Sequence, residues 1–255
     1  TIGTTQNGWT AGEVDYLCDG VDDQEEIIQA LNDLPAIGGE IVILDGIYNI
    51  TASIHIPKNN VSLRGNGNAT ILKRMYDSTD TDIGPTARGL ITLRQKYGCK
   101  IQDLQIDGNR ATYTASYNPS ICLYGSDNNT VTGNTCNNGY IGIYLDSSNN
   151  NTVTGNTCNN NSRGIYLYDS HNNIVIGNTC NNDYYGIYLH YAGKNTVTGN
   201  TCNNNNFGIR LSSYSSNNTV TGNTCYNNDY GIRLSSYSSN NTVTGNTCYN
   251  NDYGI

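Results

Sequence analysis

Residues 217–239 read NNTVTGNTCYNNDYGIRLSSYSS, and at Asn240 the same phrase begins again, so that Ile209–Ile232 and Ile232–Ile255 are identical letter for letter. Further back, Cys136, Cys158, Cys180, Cys202, Cys225 and Cys248 recur at steps of 22, 22, 22, 23 and 23 residues. A fixed period of this length marks one structural unit per repeat. Each unit runs Asn-Thr-Val-Thr-Gly-Asn-Thr-Cys, an Asn-rich corner, Gly-Ile-Tyr-Leu or Gly-Ile-Arg-Leu, then a corner of Ser, Tyr, Asp and Asn. Short β-type runs alternate with turn formers, and the second half of the chain shows no helical periodicity.

A unit of such short strands cannot bury its own apolar face, but stacked units bury a continuous column. The pattern therefore predicts an all-β fold: a right-handed, single-stranded parallel β-helix, a solenoid of 22–23 residues per coil, with an N-terminal capping helix. Period-two alternation points Ile143, Ile165, Ile187, Ile209 and Ile232 inward together with Leu145, Leu167, Leu189, Leu211 and Leu234. Tyr144, Tyr166, Tyr188, Arg210 and Arg233 are left facing solvent as a stripe. Val131, Val153, Val175, Val197, Val220 and Val243 form a second inward column. The Gly-Asn pair that follows turns the corner, and stacked Asn side chains there can hydrogen-bond from coil to coil.

The first half follows the same plan less regularly, with short apolar runs such as EIVILDGIYNI (40–50), Val61-Ser62-Leu63 and Ile101 to Ile106. Ahead of them, DDQEEIIQALNDL (22–34) reads as a capped amphipathic helix that stops near Pro35 and Gly38-Gly39. The expected division is residues 1–39, an N-terminal segment and capping helix, and residues 40–255, the β-helix. Its coils are irregular over 40–120 and regular over 121–255, all in one structural domain.

The stretch DGVDDQEEIIQALNDLPAIGGEIVILDGIYNITASIHIPKNNVSLRGNG (19–67) resembles the entry module of the pectate-lyase-like β-helix superfamily. The repeats NNTVTGNTCNN…GIYL resemble the NosD-like, carbohydrate-binding-and-sugar-hydrolase type found in surface proteins of methanogenic archaea. The resemblance spans nearly the whole chain and implies the fold. For function it implies only a range, from lyases and hydrolases to binding modules and structural proteins.

Composition narrows that range. The chain has 13 Lys and Arg against 21 Asp and Glu, a net charge of −8, so it lacks the clustered cations a nucleic-acid partner requires. No stretch approaches the roughly 18 apolar residues of a membrane span. A start at Thr1 fits either a secreted protein after signal removal or a trimmed chain, and the sequons at Asn49, Asn68, Asn128, Asn217 and Asn240 permit surface glycosylation. The expected location is extracellular, at the cell surface.

The recurring cysteines read as a buried thiol ladder: Cys136, Cys158, Cys180, Cys202, Cys225 and Cys248. Coil spacing of about 4.8 Å permits pairing within it but does not demand it. Cys18, outside the ladder, is the candidate for a bond to another chain. The repeat does not match zinc-site spacing, and no metal centre is assigned. Asp77, Asp80 and Asp82, in one inserted loop, are candidate Ca²⁺ ligands but lack the Gly and distal Glu of a calcium loop; no other cofactor is expected.

Six tyrosines are candidate sugar contacts: Tyr144, Tyr166 and Tyr188 on the stripe, and Tyr76, Tyr113 and Tyr117 on two long loops. A catalytic patch, if there is one, centres on Asp146, His190 and Arg163, with Asp146 facing Tyr166, Tyr168, Tyr188 and His190 on successive coils and Asp169 nearby. Outward Thr-x-Thr rows, interrupted by Ile174 and Ile176, suggest a minor third use, ordering water as ice does.

Repetition favours a surface used for its shape over a catalytic pocket of unique residues. The leading expectation is thus a non-enzymatic structural protein of a cell envelope, a sheath, surface-layer or filament subunit that self-assembles through its open solenoid edge. The alternative is a secreted polysaccharide-binding or polysaccharide-cleaving β-helix protein, a lyase or hydrolase if an enzyme.

Overall fold

The computed structural model describes residues 1–78 and 89–255, so the candidate ligands Asp80 and Asp82 lie outside the described residues. The chain is a right-handed parallel β-solenoid of about nine turns. Each regular coil contributes three strands. The first, Thr130–Thr132, recurs as Thr152–Thr154, Ile174–Ile176, Thr196–Thr198, Thr219–Thr221 and Thr242–Thr244, each parallel to the one before with Val on Val. The second, Thr135–Asn137, recurs as Thr157–Asn159 and onward to Thr247–Tyr249 with Cys on Cys. The third, Ile141–Asp146, recurs as Arg163–Tyr168, Tyr185–His190, Phe207–Ser212 and Tyr230–Leu234. The first two faces converge on the continuous strand Lys100–Asp107, which pairs with both.

Alternation decides what each strand buries. The Thr-Val-Thr and Thr-Cys-Asn strands bury only their middle residue, so Val131, Val153, Val175, Val197 and Val220, and Cys136 through Cys225, are wholly enclosed. All nine cysteines are free thiols, and Cys248, in the last coil, is only half-buried. The third strand buries its Ile column and, from Leu145 to Leu211, its Leu column, while Leu234 in the last of these strands is only partly buried. The outward Thr rows lie in register, but Ile174 and Ile176 stand 43% and 38% exposed in their midst.

The corners carry the polar half of the design. Gly133, Gly155, Gly177, Gly199, Gly222 and Gly245 take φ of 62 to 65°, the left-handed turn that a side chain resists, and each is followed by an Asn that is buried in every coil but the last. Asn178 shows what that Asn does. Its Oδ1 accepts the backbone N–H of Asn156 at 2.9 Å and the Asn156 amide at 3.0 Å, while its own amide donates to the carbonyls of Val153 at 2.9 Å and Ile176 at 3.2 Å. Asn134, Asn156, Asn200 and Asn223 repeat the pattern, and a second ladder through Asn129, Asn151, Asn173, Asn195 and Asn218 serves the corner before the first strand. Backbone groups that the strands leave unpaired are thus satisfied inside a water-free corner.

At the N-terminal end the helix Gln24–Asp33 packs Ile27, Ala30 and Leu31 into the core. Asp23 precedes it but makes no side-chain cap. Its carboxylate instead accepts the N–H groups of Gly20 at 2.8 Å and Asn49 at 2.6 Å, tying the helix to a strand of the solenoid. A short parallel pair, Ile2–Thr4 with Tyr16–Cys18, was not foreseen from the sequence. The expectation for Cys18 is corrected: its thiol is fully buried against the Asp23 carbonyl, so it cannot reach another chain.

Asn178→Ala removes one rung and leaves the Asn156 N–H and the Val153 carbonyl without the partners that Asn178 supplied. It is expected to cost about 2–5 kcal/mol, read from denaturant unfolding. A loss under half a kcal/mol would mean that the ladder adds nothing to stability.

Candidate functional site

In-register stacking of the third strands places like residues one coil apart, and aromatic residues at those positions must therefore stack. Tyr144 lies 5.2 Å from Tyr166 with the rings 11° from parallel, and Tyr166 lies 5.0 Å from Tyr188 at 13°. A neighbouring stack runs through Tyr185, Phe207, Tyr230 and Tyr253 with centroids 5.1, 5.0 and 4.7 Å apart. The expectation that Tyr166 and Tyr188 face solvent is corrected: each is 8% exposed, because its ring faces are covered by the coils above and below. Sugar rings cannot lie on those faces; only ring edges and hydroxyls remain outward.

Guanidinium groups fill the space between the stacks. Arg163 lies over Tyr140 at 5.3 Å and Tyr166 at 4.9 Å. Arg210 lies over Tyr185, Tyr188 and Phe207 at 5.3, 5.5 and 4.9 Å and donates to the Tyr185 hydroxyl at 2.9 Å. Arg233 lies over Phe207 at 5.6 Å and Tyr230 at 4.5 Å. Arg110, from a loop, covers Tyr140 at 5.5 Å. Cation–π contact holds these charges in place, and among the described residues no carboxylate pairs with Arg163, Arg210 or Arg233.

Over this surface lies a cleft of about 490 Å³, into which Tyr117, Asp146, Arg163, Tyr168, Tyr185 and His190 project beside the three stripe tyrosines. The Asp146 carboxylate accepts the Tyr144 hydroxyl at 3.0 Å and the Ser147 hydroxyl at 3.0 Å. The Tyr166 hydroxyl and His190 Nδ1 share a hydrogen bond of 3.0 Å, and the Tyr188 hydroxyl meets Ser212 at 2.9 Å. Burial, with Arg163 and Arg210 adding repulsion, pushes the His190 imidazole below its usual range, so it is neutral at neutral pH. Burial raises the Tyr166 hydroxyl against the pull of Arg163, and it stays protonated.

The cleft gathers Asp146, His190, Arg163, Tyr117, Tyr144, Tyr166 and Tyr188 from three successive third-face strands and the loop that carries Tyr117. It does not include Tyr76, whose hydroxyl donates to the Gly89 carbonyl at 3.2 Å, or Tyr113. Asp77 Oδ1 accepts the Ala115 N–H at 2.9 Å and the Asn118 amide at 2.8 Å, which pins the neighbouring loop. His171 lies on another corner, where its Nδ1 accepts the Gly193 N–H at 2.9 Å, the service that Asn149 Oδ1 performs for His171 itself at 2.8 Å. Sequence reasoning missed Tyr185, Tyr140 and Phe207. Their signal was the 22-residue step that aligns Arg163, Tyr185 and Phe207 in one column.

The model of the periplasmic copper-binding protein family NosD matches residues 66–255. The chain belongs to the NosD family. Among solved structures, this NosD chain is similar to the A-module of the mannuronan C-5 epimerase AlgE4 from Azotobacter vinelandii, at 20% identity and a TM-score of 0.70, over 99% of this chain and 72% of that one. It is also similar to DFA-IIIase from Arthrobacter chlorophenolicus A6, at 16% identity and a TM-score of 0.73, over 96% and 71%. The catalytic domain of a GH87 alpha-1,3-glucanase, solved with nigerose, matches at 19% identity and a TM-score of 0.64, over 83% of this chain but 39% of that one. At these identities the likeness is one of fold. Among curated protein sequences, none matches the NosD chain.

Two outcomes follow from the cleft geometry. By NMR, His190 is expected to titrate below the ordinary midpoint of 6.5, and Arg163→Gln is expected to move that midpoint upward; an unmoved midpoint would remove Arg163 from its surroundings. Tyr166→Ala, by opening a gap between two stacked rings, is expected to cost roughly 3 kcal/mol of stability in chemical unfolding. A near-neutral result would show that the stack is decoration on an independent core.

Proposed function

We propose that this NosD-family chain is an exported protein that binds an acidic polysaccharide lengthwise along the third face, gripping it in the cleft at Tyr117, Asp146, Arg163, Tyr168 and His190. The observation that carries this reading is the row of guanidiniums. Residues 121–255 contain four basic residues, Arg163, Lys194, Arg210 and Arg233, and three of them share this face of a protein whose net charge is −8. Stacked on rings and, among the described residues, without carboxylate partners, they keep a positive charge that an anionic ligand could pair. The coil repeat of about 4.8 Å is close to the length of one sugar in an extended chain, so a polymer along the axis meets a similar surface at each coil.

Several features support this reading over an envelope subunit. The neighbours AlgE4 and the GH87 glucanase are, by their titles, an epimerase of mannuronan and a glucanase holding nigerose, so the fold is one that polymers of sugar use. Export is consistent with the periplasmic description of the family, and no helix among the described residues is long and apolar enough to cross a membrane. Binding is favoured over hydrolysis because, among the described residues, Asp146 is the one carboxylate lining the cleft, whereas paired-carboxylate hydrolysis needs two.

The family description names copper, and the residues present do not fit it. Within the matched segment the thiols of Cys136 to Cys225 are sealed in the core, His171 Nδ1 is committed to a backbone N–H, and His190 Nδ1 to Tyr166. Among the described residues the one trio of ligating side chains within 4.8 Å is Cys18, Asp23 and Glu26, outside residues 66–255, where burial and the two carboxylates push the Cys18 thiol up.

The test is calorimetric titration with a polyuronate and with a neutral glucan of equal length. Binding is expected for the polyuronate alone, weakening with added salt, and Arg163→Gln or Arg210→Gln is expected to lower affinity about tenfold with the fold unchanged. Equal affinity for the neutral glucan, or binding that both substitutions leave intact, would overturn the reading.

A further inference from the structure

The corner between the second and third faces carries its own ladder, Asn161, Asp183, Asn205, Asn228 and Asn251, in which one rung is an acid. The four asparagines use their amide nitrogens alike, donating to the carbonyls of Cys136, Cys180, Cys202 and Cys225 at 3.1, 3.1, 3.1 and 3.0 Å. Asp183 keeps the rest of the pattern: its N–H donates to Asn205 Oδ1 at 2.8 Å, and its Oδ1 accepts the Asn161 N–H at 2.6 Å.

Its second oxygen stands where an amide nitrogen belongs. A methyl group placed on Gly164 would meet Asp183 Oδ2 at 2.6 Å, just as methyl groups on Gly186, Gly208 and Gly231 would meet the amide nitrogens of Asn205, Asn228 and Asn251 at 3.1, 3.1 and 3.0 Å. The carbonyl that the ladder's 25-residue step offers to this slot is that of Cys158, an acceptor. Asp183 is 4% exposed, and its Oδ2 is sealed from solvent without a hydrogen-bond partner. An ionised oxygen there would face a carbonyl in a slot closed to bulk solvent, whereas a protonated one supplies a donor.

We propose that Asp183 is a protonated carboxylic acid whose Oδ2–H donates to the Cys158 carbonyl, so that this coil junction is a proton-dependent joint that loosens as pH rises. The titratable groups that face it from the adjoining strands are the thiols of Cys158 and Cys202. Arg163, beside Gly164, turns outward onto Tyr140 and Tyr166, and among the described residues no cation is paired with the carboxyl. Burial holds the carboxyl well above the usual range, and the Asn161 N–H opposes this only in part.

The sign of the linkage follows. A carboxyl raised on folding keeps a proton that the unfolded chain releases. Its contribution is complete below the unfolded value of about 3.9 and is lost as pH climbs through the folded value. The joint also lies next to the proposed binding surface, since Arg163 and Tyr185 line the cleft, Arg163 adjoining Gly164 and Tyr185 standing two residues from Asp183 in sequence.

The experiment compares urea unfolding of the full chain and of Asp183→Asn from pH 4 to pH 9, with infrared difference spectra of the two native proteins at pH 6. Relative to Asp183→Asn, whose amide matches the other rungs, the parent chain is expected to lose up to tenfold in its folding constant per pH unit above about pH 4 until the folded value is reached. The carbonyl band of a protonated carboxylic acid is expected in the parent spectrum and absent from that of the variant. Parallel stability profiles, or no such band lost on substitution, would overturn the proposal, and the spectral arm does so without reference to stability.

Discussion

The structure depends on one interaction above the rest: the hydrogen bonds that buried corner amides make to the backbones of neighbouring coils. A β-solenoid must turn its chain three times per coil, and at each turn the strand ladder stops serving the backbone. Water cannot serve it either, because the corner residues Asn134, Asn156, Asn178 and Asn200 are at most 1% exposed. An asparagine carries both an acceptor and a donor on a side chain short enough to stay in the corner, so it bonds to the coil after and the coil before. Sheet faces, apolar columns and aromatic stacks all inherit their register from these rungs.

From that register comes the candidate site. No loop had to be shaped to bring Arg163, Tyr166 and His190 together, since strict stacking of the third strands carries each outward residue to within one coil of its successor. The same strictness covers the ring faces of Tyr166 and Tyr188 and leaves the guanidiniums as the outward-acting groups. A surface that repetition was expected to make aromatic is in effect cationic, on a chain that is acidic as a whole.

The fold was legible from the sequence because its determinants are local and periodic. Spacing of Cys136 to Cys248, alternation in Gly-Ile-Tyr-Leu and Gly-Asn at the corner each report a feature that recurs coil after coil. The site was legible in its membership, as with Asp146, Arg163 and His190, but not in the state of its side chains. Exposure of Tyr166 depends on what lies above and below it, and alternation within one strand says only that it points outward. Cys18 shows the same limit: standing outside the repeat suggested a free thiol, whereas its burial comes from the helix and the short parallel strands that pack around it. Asp183 was hidden for the opposite reason, as an acid in an Asn-rich corner looks like an ordinary polar variant until the slot of its second oxygen is known.

The identity of Ile209–Ile232 with Ile232–Ile255 has a consequence for how such a chain can change its length. Lateral pairing there matches Val220 to Val243 and Cys225 to Cys248, like to like, so a coil meets the same neighbour whichever copy it is given. Recombination that adds or deletes one period of 23 residues shifts the solenoid by a whole rung, as a dislocation that moves by one lattice vector leaves a crystal unchanged behind it. Growth of the gene and growth of the molecule along its axis are here the same operation, and the unlike residues, Asp183 among them, mark positions along a ruler whose blank divisions are interchangeable.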